Sequence, residues 1–189
     1  MLIQNELEAC LPVLHSGGLI LYPTDTVWGI GCDATNEKAV AKIYALKNRN
    51  EDKSMIILLA DENDILKYTD QPNLTVFDYI KGANKPVTVI YSKAKNLAKN
   101  LINADGSIGI RIVKDDFCKR LITAFGKPLV STSSNVSGYP APGLFNDIDI
   151  KIKSGVDYIV QHRQDEIETA SPSTVIKIND DGSYSIIRP

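Results

Sequence analysis

Short apolar segments alternate with amphipathic segments along the chain, and this alternation limits the folds that the sequence can adopt. Apolar runs such as 55–59 and 87–91 have the length and composition of buried strands. The segments 36–46 and 115–125 instead repeat apolar residues at helical spacing. An Asp-Gly turn at 181–182 joins the last two predicted strands as an antiparallel hairpin. The sequence therefore predicts an α/β fold with a mixed sheet.

The same patterns locate the remaining elements. A helix over 5–16 ends at the glycines 17–18, and one or two helical pieces, interrupted near Pro72, are predicted within 61–81. No internal repeat, low-complexity segment or linker divides the 189 residues, so we expect a single domain over 1–189. Further strands are predicted at 19–22, 107–113, 129–132, 158–161, 174–178 and 184–187.

Composition argues against several kinds of protein. Lys and Arg number 21 against 23 Asp and Glu, a net charge of −2, so nucleic-acid binding through many phosphates is not indicated. The apolar runs are far shorter than a membrane-spanning helix, and the N-terminus lacks the basic start of a secretory signal, so we expect neither membrane attachment nor export. The three cysteines are far apart and form no CxxC pair, which predicts free thiols, a cytoplasmic location and no zinc site.

Hydroxyl side chains collect directly after predicted strands. Thr24 and Thr26 follow the first strand, and further clusters lie at 131–135 (STSSN) and 171–174 (SPST). Ligands of open α/β sheets bind outside strand ends, where loops supply N–H groups and short polar side chains. Serine and threonine are also common turn residues, so each cluster alone is explained by a turn. Three clusters of the same kind favour a ligand site.

Several lysine and arginine side chains lie where they either have a structural role or bind an anionic ligand. Lys47, Arg49 and Lys53 lie at or beyond the end of the second predicted helix, where they either complement its C-terminus or clamp a phosphate. Arg111 lies within an apolar strand, and it is either exposed at a sheet edge or faces a polar cavity, because an unpaired guanidinium is too costly to bury. Arg188 is a second arginine of this kind, at the end of the last strand. A carboxylate or phosphate ligand in a cavity would explain both.

The motifs of the common nucleotide-binding and hydrolase folds are missing. The chain has no GxxxxGK[ST], GxGxxG or GxSxG sequence, and neither His15 nor His162 neighbours a candidate nucleophile. Cys32 has no nearby base and is interpreted as a small buried hydrophobe. Trp28 is either a core residue or an aromatic wall for a ligand. Hydroxyls and cations without a protein nucleophile suit a reaction in which one substrate attacks another, and nucleotidyl transfer is the natural class.

An ordered set of short strings resembles the YrdC-like threonylcarbamoyl-AMP synthases. The similarity runs from about residue 19 to 189, and its most specific part is a Lys-x-Arg string followed by Ser-x-Asn. The resemblance implies a twisted mixed α/β sheet with helices that encloses a large concave cationic cavity. The strings are YPTDTVWG at 22–29, KNR at 47–49, GIR at 109–111, SSN at 133–135, PST at 172–174 and RP at 188–189.

The resemblance also implies a reaction and its partners. The family makes L-threonylcarbamoyl-AMP and pyrophosphate from L-threonine, bicarbonate or CO2, and ATP, with Mg²⁺ accompanying ATP. A separate tRNA threonylcarbamoyl transferase complex then uses the product to modify adenosine in tRNA. The resemblance leaves open whether this chain also binds tRNA or other RNA weakly.

Site residues follow from the resemblance, position by position. Lys47 and Arg49 are expected to be catalytic through contacts with the ATP phosphates, and no metal ligand in the chain is implied. The expected threonine-binding residues are Thr26, Arg111, Ser133 and Ser173. The expected ATP-binding residues are Lys47, Arg49, Lys53, Ser107, Asn135, the backbone near Ala141, and Arg188.

The chain departs from the family pattern at several positions. Trp28 stands where Tyr is usual, and residues 83–88 (ANKPVT) keep only the second Pro and the Thr of a Trp-Pro-Gly-Pro-x-Thr string. Residues 53–54 (KS) replace a frequent Asn-Pro pair, and an aliphatic residue near Leu58 replaces a histidine. The alternative prediction is therefore a paralogue of the same fold that binds nucleotide or RNA without synthase activity.

Overall fold

A nine-stranded mixed sheet forms the centre of the fold in the residues that the computed structural model describes, which are 2–50, 55–70, 76, 79–80, 82–169, 171–179 and 181–189. Its strands are β1 (Ile20–Tyr22), β2 (Gly29–Gly31), β3 (Ile56–Leu59), β4 (Val87–Tyr91), β5 (Ile108–Ile112), β6 (Leu129–Ser133), β7 (Tyr158–Ile159), β8 (Thr174–Ile178) and β9 (Tyr184–Arg188). Their order across the sheet is β7-β1-β2-β6-β3-β5-β4-β8-β9. Parallel and antiparallel pairs both occur, and β8 and β9 form the predicted antiparallel hairpin. The predicted α/β fold with a mixed sheet is confirmed.

The helices that flank the sheet are α1 (Leu2–His15), α2 (Glu37–Lys47), α3 (Ile65–Tyr68), α4 (Asp116–Phe125) and α5 (Ile150–Ser154). Polar side chains at helix starts satisfy the first backbone N–H groups, which have no partner within a helix. Asn36 accepts from the N–H of Lys38 ahead of α2, and Asp115 accepts from the N–H of Cys118 ahead of α4. Helix α4 ends at Gly126, whose φ of 74° is a left-handed conformation that glycine adopts without strain.

The two faces of the sheet are covered differently. One face packs against α2 through a core that includes Val40, Ile43 and Val130. On the other face, α1 and α4 cover one part of the sheet through a second core, to which Leu58 of β3 and Leu121 of α4 belong. Toward β4 and β8, this second face lines a cavity instead.

The structure contains two elements that the apolar patterns do not predict. Strand β2 is a Gly-Ile-Gly segment between β1 and β6, and α5 is a short helix capped by Asp149. Of the helical pieces predicted over 61–81, α3 is present, and part of the remainder lies outside the described residues. The three cysteines are free, as predicted, and all three are buried. In the part of the chain that the structure describes, no helix has both the length and the apolar character needed to cross a membrane.

Candidate active site

A cavity of about 320 Å³ lies on the second face of the sheet and collects most of the predicted site residues. Strand residues that include Ile56, Thr88 and Val175 form its floor. Three guanidinium groups and several hydroxyls line it, and no carboxylate lines it among the described residues. The predicted residues that line it are Thr26, Arg49, Arg111, Ser133, Ala141, Ser173 and Arg188.

Gly109 packs closely against two residues of the cavity floor, Ile56 and Thr88. It pairs with Ile56 of the neighbouring strand β3. A Cβ atom at position 109 would lie 2.9 Å from Ile56 Cγ2 and 3.3 Å from Thr88 Cγ2, and both distances are shorter than ordinary van der Waals contacts. Gly109 precedes Arg111 by two residues and therefore shares its face of β5. Close packing around the floor thus explains the glycine of the GIR string.

Arg111 extends from β5 toward the cavity and is almost fully buried, with 3% of the residue exposed. Its Nη1 atom donates to Thr26 Oγ1 at 2.9 Å, and its Nη2 atom lies 3.2 Å from Asp25 Oδ1. Among the described residues, its Nε atom has no hydrogen-bond partner. Because β5 lies between β3 and β4, the alternative of an arginine exposed at a sheet edge is wrong. Arg111 is a paired guanidinium beside a polar cavity.

The loop between β1 and β2 presents Thr26 through a local pattern of hydrogen bonds. Thr24 Oγ1 donates to Val27 O at 2.9 Å and accepts from the Thr26 N–H at 3.0 Å. The hydroxyl oxygens of Thr24 and Thr26 lie 3.0 Å apart. Such bonds between side chain and backbone are typical of threonines in turns. The cluster therefore serves both purposes considered from the sequence: Thr24 stabilises the turn and Thr26 lines the cavity.

Arg188 lines the cavity because the last hairpin contains an irregularity. The pairing of β8 with β9 shifts by one residue at Val175, which leaves Ile187 as an extra residue in a β-bulge. The bulge sets Arg188 opposite Val175, a residue of the cavity floor. The Nε and Nη2 atoms of Arg188 donate to Ser173 O at 3.1 and 2.8 Å. The Ser173 hydroxyl is 2.8 Å from that of Thr88, so the strand ends hold this corner of the cavity together.

Lys47 does not line the cavity but supports it from behind. Its side chain is fully buried, and Nζ donates to the backbone oxygens of Ser133 and of Asn135, the latter at 2.6 Å. The chain then turns at Asn48, where φ is 50°, and Arg49 lines the cavity. The two cations of the KNR string therefore occupy different environments, since Lys47 holds the loop that carries Ser133 and Arg49 borders the open space.

Burial and, to a smaller extent, the nearby charge of Arg49 together lower the pKa of Lys47 from 10.5 to about 7. Between these two values the unfolded chain binds more protons than the folded protein, so stability rises with pH. We expect the free energy of unfolding of the wild type, relative to that of Lys47→Met, to increase by about 2–3 kcal/mol from pH 6 to pH 9. Urea unfolding of both proteins at the two pH values measures this difference. A difference that stays constant or falls would contradict the burial of a titrating amine.

Asn135 lies behind Ser133 and does not line the cavity among the described residues. The Ser133 hydroxyl lies 2.5 Å from Asn135 Oδ1, and Asn135 Nδ2 donates to Val136 O at 3.0 Å and to Tyr139 O at 2.7 Å. The amide therefore orders the loop after β6 in this structure. Its predicted contact with ATP remains a prediction.

A further predicted ATP-binding residue, Ser107, is not brought to the cavity. Ser107 lies just before β5, four residues from Arg111, a separation of roughly 13 Å in an extended strand. Its hydroxyl donates to Asp105 Oδ1 at 2.5 Å and accepts from Asn103 Nδ2 at 2.9 Å. These distances place Ser107 in its own turn rather than beside the arginines. Lys53 lies outside the described residues.

A larger cavity of about 490 Å³ shares Thr26 with the first. Trp28 and Phe145 contribute its aromatic side, with ring centroids 4.8 Å apart. Trp28 also packs in the core and is 5% exposed, so both alternatives considered from the sequence apply to it. The segment that follows β7 supplies another wall, which includes Arg163 and Glu166. These two residues are not predicted from the sequence, because the polar stretch after β7 carries no motif.

Comparison with known proteins places the chain among its relatives. A family model named Sua5/YciO/YrdC, with the description "Telomere recombination", matches residues 12–189. A threonylcarbamoyl-AMP synthase of Pseudoalteromonas translucida is 36% identical over 138 residues, which cover 71% of this chain and 74% of that protein. A threonylcarbamoyl-AMP synthase of Photobacterium profundum is 30% identical over 190 residues, which cover 97% of this chain and 98% of that protein.

A solved structure has the same fold. The crystal structure of P. abyssi Sua5 complexed with L-threonine matches with a TM-score of 0.84 and 21% sequence identity. The match covers 97% of this chain and 53% of that chain, so this chain spans about half the length of that protein. Since the family model and the curated relatives extend over most of its residues, the chain belongs to the Sua5/YciO/YrdC family.

Proposed function

We propose that this protein is an L-threonylcarbamoyl-AMP synthase, which converts L-threonine, bicarbonate or CO2, and ATP into L-threonylcarbamoyl-AMP and pyrophosphate. The observation that carries the proposal is one cavity lined both by three arginines and by the hydroxyls of Thr26, Ser133 and Ser173. Relatives at 36% and 30% identity that are named threonylcarbamoyl-AMP synthases support this activity. They favour it over a paralogue that binds nucleotide or RNA without catalysis.

The amino acid is proposed to bind between Arg111 and the hydroxyl groups. Its carboxylate pairs with the Arg111 guanidinium, which Asp25 and Thr26 already hold in place. A donor that is fixed before binding loses little conformational freedom when the ligand arrives. The threonine side chain then lies among the hydroxyls of Thr26, Ser133 and Ser173, which can each donate or accept a hydrogen bond.

ATP is proposed to lie with its phosphates near Arg49 and Arg188, because guanidinium groups bind phosphate oxygens in pairs. Ala141 lines the same cavity and offers its backbone to the nucleotide. Lys47 remains a proposed phosphate contact, since backbone oxygens take two of the three N–H groups that its charged form carries. The proposals for Lys53, Ser107 and Asn135 come from the family resemblance alone.

The proposed reaction has two steps. The threonine amine attacks CO2, a nitrogen–carbon bond forms, and one proton leaves the nitrogen to give a carbamate. A carbamate oxygen then attacks the α-phosphorus of ATP, and the bond from that phosphorus to the bridging oxygen breaks to release pyrophosphate. Arg49 and Arg188 stabilise the negative charge that develops on the leaving oxygens.

Mg²⁺ enters this proposal as part of the MgATP substrate. The cavity supplies guanidinium and hydroxyl groups, and among the described residues no cluster of three or more His, Cys, Asp or Glu side chains is placed to hold a metal. Mg²⁺ is commonly held by the phosphates of its nucleotide, which fits this set of groups. The product is proposed to pass in the cytoplasm to a tRNA threonylcarbamoyl transferase complex.

Pyrophosphate release by the purified protein tests the proposed function. We expect release only when MgATP, L-threonine and bicarbonate are all present, together with a product of the mass of threonylcarbamoyl-AMP. L-Valine, which has a methyl group in place of the hydroxyl, is the matched control and should support at least about 100-fold slower release, because it makes no hydrogen bond to the cavity hydroxyls. Release that does not depend on threonine would contradict the proposal.

A further inference from the structure

We infer that Arg163 is a positioning residue for the amino-acid site: it holds the loop over 23–26, and therefore Thr26, in place from outside the cavity that binds the substrates. The inference rests on the proposed function, because it treats Thr26 as part of the threonine site. Arg163 Nη1 lies 3.2 Å from Thr24 O and 2.9 Å from Asp115 Oδ2. Its Nε atom donates to Glu166 on the wall of the larger cavity. One guanidinium thus joins three segments that are distant along the chain.

Asp115 gives Arg163 a fixed anchor. One oxygen of this carboxylate caps α4 by accepting from the Cys118 N–H at 2.8 Å, and the other receives the Arg163 guanidinium. The side chains of Arg163 and Asp115 are 24% and 15% exposed, so the pair is largely removed from water. Charge-assisted hydrogen bonds are short and strong when they are protected in this way. Arg163 therefore links Thr24 O to the residue that caps α4.

The loop over 23–26 is held from two sides. From the cavity side, Arg111 binds the hydroxyl of Thr26 and pairs with Asp25. From outside this cavity, Arg163 binds the backbone oxygen of Thr24, and Cys118 Sγ lies 3.3 Å from Pro23 O. Loss of the Arg163 contact leaves the loop attached to Arg111, to Cys118 and, through Asp25 Oδ2, to the Lys114 N–H at 3.2 Å. It removes the hydrogen bond to Thr24 O and so loosens the loop relative to α4. The distance between Thr26 and the rest of the cavity then varies, which weakens binding of a small ligand more than binding of a large one.

The backbone of Arg163 supports a contact-based role for its side chain. Its φ is 68°, in the left-handed region that glycine adopts without strain and that other L-residues adopt at a cost. Glycine at this position would relax the backbone, so the contacts of the guanidinium are what an arginine adds here. The substitution Arg163→Gly consequently removes the contacts without introducing strain, and the variant is expected to fold.

Steady-state pyrophosphate release by Arg163→Gly tests the inference. We expect the KM for threonine to rise about tenfold, while kcat and the KM for ATP stay within about twofold of the wild type. Arg163→Lys keeps the charge but not the planar fork and should give an intermediate KM. Lys93→Gly is the matched control, because Lys93 is an exposed cation that also has a positive φ, of 56°, and it should leave all three constants unchanged.

Asp115→Asn separates positioning from direct contact with substrate. Asparagine still caps a helix, so α4 is retained while the ion pair is lost. If Arg163 acts through its anchor, the double variant Arg163→Gly/Asp115→Asn has a threonine KM no higher than that of Arg163→Gly. An additive effect, a threonine KM within twofold of the wild type in Arg163→Gly, or an equal rise of both KM values would overturn the inference.

Hydrogen exchange distinguishes failure of this inference from failure of the proposed function. We expect the amides of residues 24–29 to exchange at least tenfold faster in Arg163→Gly, while those of β3 and β5 are unchanged. Unchanged exchange over 24–29 overturns the positioning role even if the wild type is an active synthase. A wild-type protein without threonine-dependent pyrophosphate release overturns the proposed function, and the exchange rates still decide whether Arg163 holds the loop.

Discussion

We expect Arg49→Ala to lower kcat/KM for ATP by about 100-fold to 1,000-fold, because it removes a charged contact with the leaving pyrophosphate. Arg49 lines the cavity beyond the last turn of α2 and is only partly buried. Truncation of a side chain in such a position changes the free energy of unfolding by less than about 1 kcal/mol. Initial rates at varied MgATP, together with urea unfolding, measure the two effects separately.

Two control variants sharpen this experiment. Lys38→Ala removes an exposed cation from the start of the same helix and should leave the rate unchanged. Arg49→Lys keeps the charge without the fork and should lose less activity than Arg49→Ala. An Arg49→Ala variant with wild-type kcat/KM would show that Arg49 only complements the end of α2, the alternative that the sequence leaves open.

Lys47 is not suited to the same experiment, although it belongs to the same sequence string. Its Nζ atom satisfies the backbone oxygens of Ser133 and Asn135 in a fully buried position. Lys47→Ala leaves these oxygens without a donor and opens a void, so it is expected to destabilise the protein by about 2–4 kcal/mol. A loss of activity in that variant would therefore not distinguish unfolding from lost catalysis.

The elements that the sequence predicts are those with a local signature. Strands such as β3 and β4 are apolar because most of their side chains are buried. Helices α2 and α4 have a single apolar side with a capping residue ahead of it. Strand β2 has no such signature, since Gly29–Gly31 is a strand only through its pairing with β1 and β6. Helix α5 is too short, at five residues, for helical periodicity to appear.

The sequence predicts which kinds of side chain form the candidate site, but it does not predict where the fold places them. Hydroxyls after strand ends and an arginine in an apolar strand identify Thr26 and Arg111, because such residues need polar surroundings. The buried position of Lys47 depends on the fold, since its partners lie 86 and 88 residues further along the chain. Arg163 and Thr24 are 139 residues apart in the sequence, and no local pattern predicts their contact.

We expect Arg111→Lys to raise the KM for threonine roughly 30-fold while the KM for ATP stays within about twofold. Lysine keeps a positive charge beside Asp25, which lies 3.2 Å from Arg111 Nη2. It offers no planar fork, so it cannot hold Thr26 and at the same time bind a carboxylate with two parallel hydrogen bonds. Initial rates at varied threonine and at varied MgATP measure the two constants. Arg120→Lys, on the exposed side of α4, is the matched control and should change neither.

Lysine is the informative substitution because Arg111→Ala would leave the buried Asp25 carboxylate without its partner, at a cost of about 3–5 kcal/mol. The double variant Arg111→Met/Asp25→Asn removes both charges and avoids that penalty, so it should fold and still bind threonine weakly. An equal rise of both KM values in Arg111→Lys would mean that this arginine supports the cavity as a whole and does not bind the carboxylate of the amino acid. A rise confined to threonine, and larger than that in Arg163→Gly, places the Arg111 guanidinium in contact with the amino acid itself.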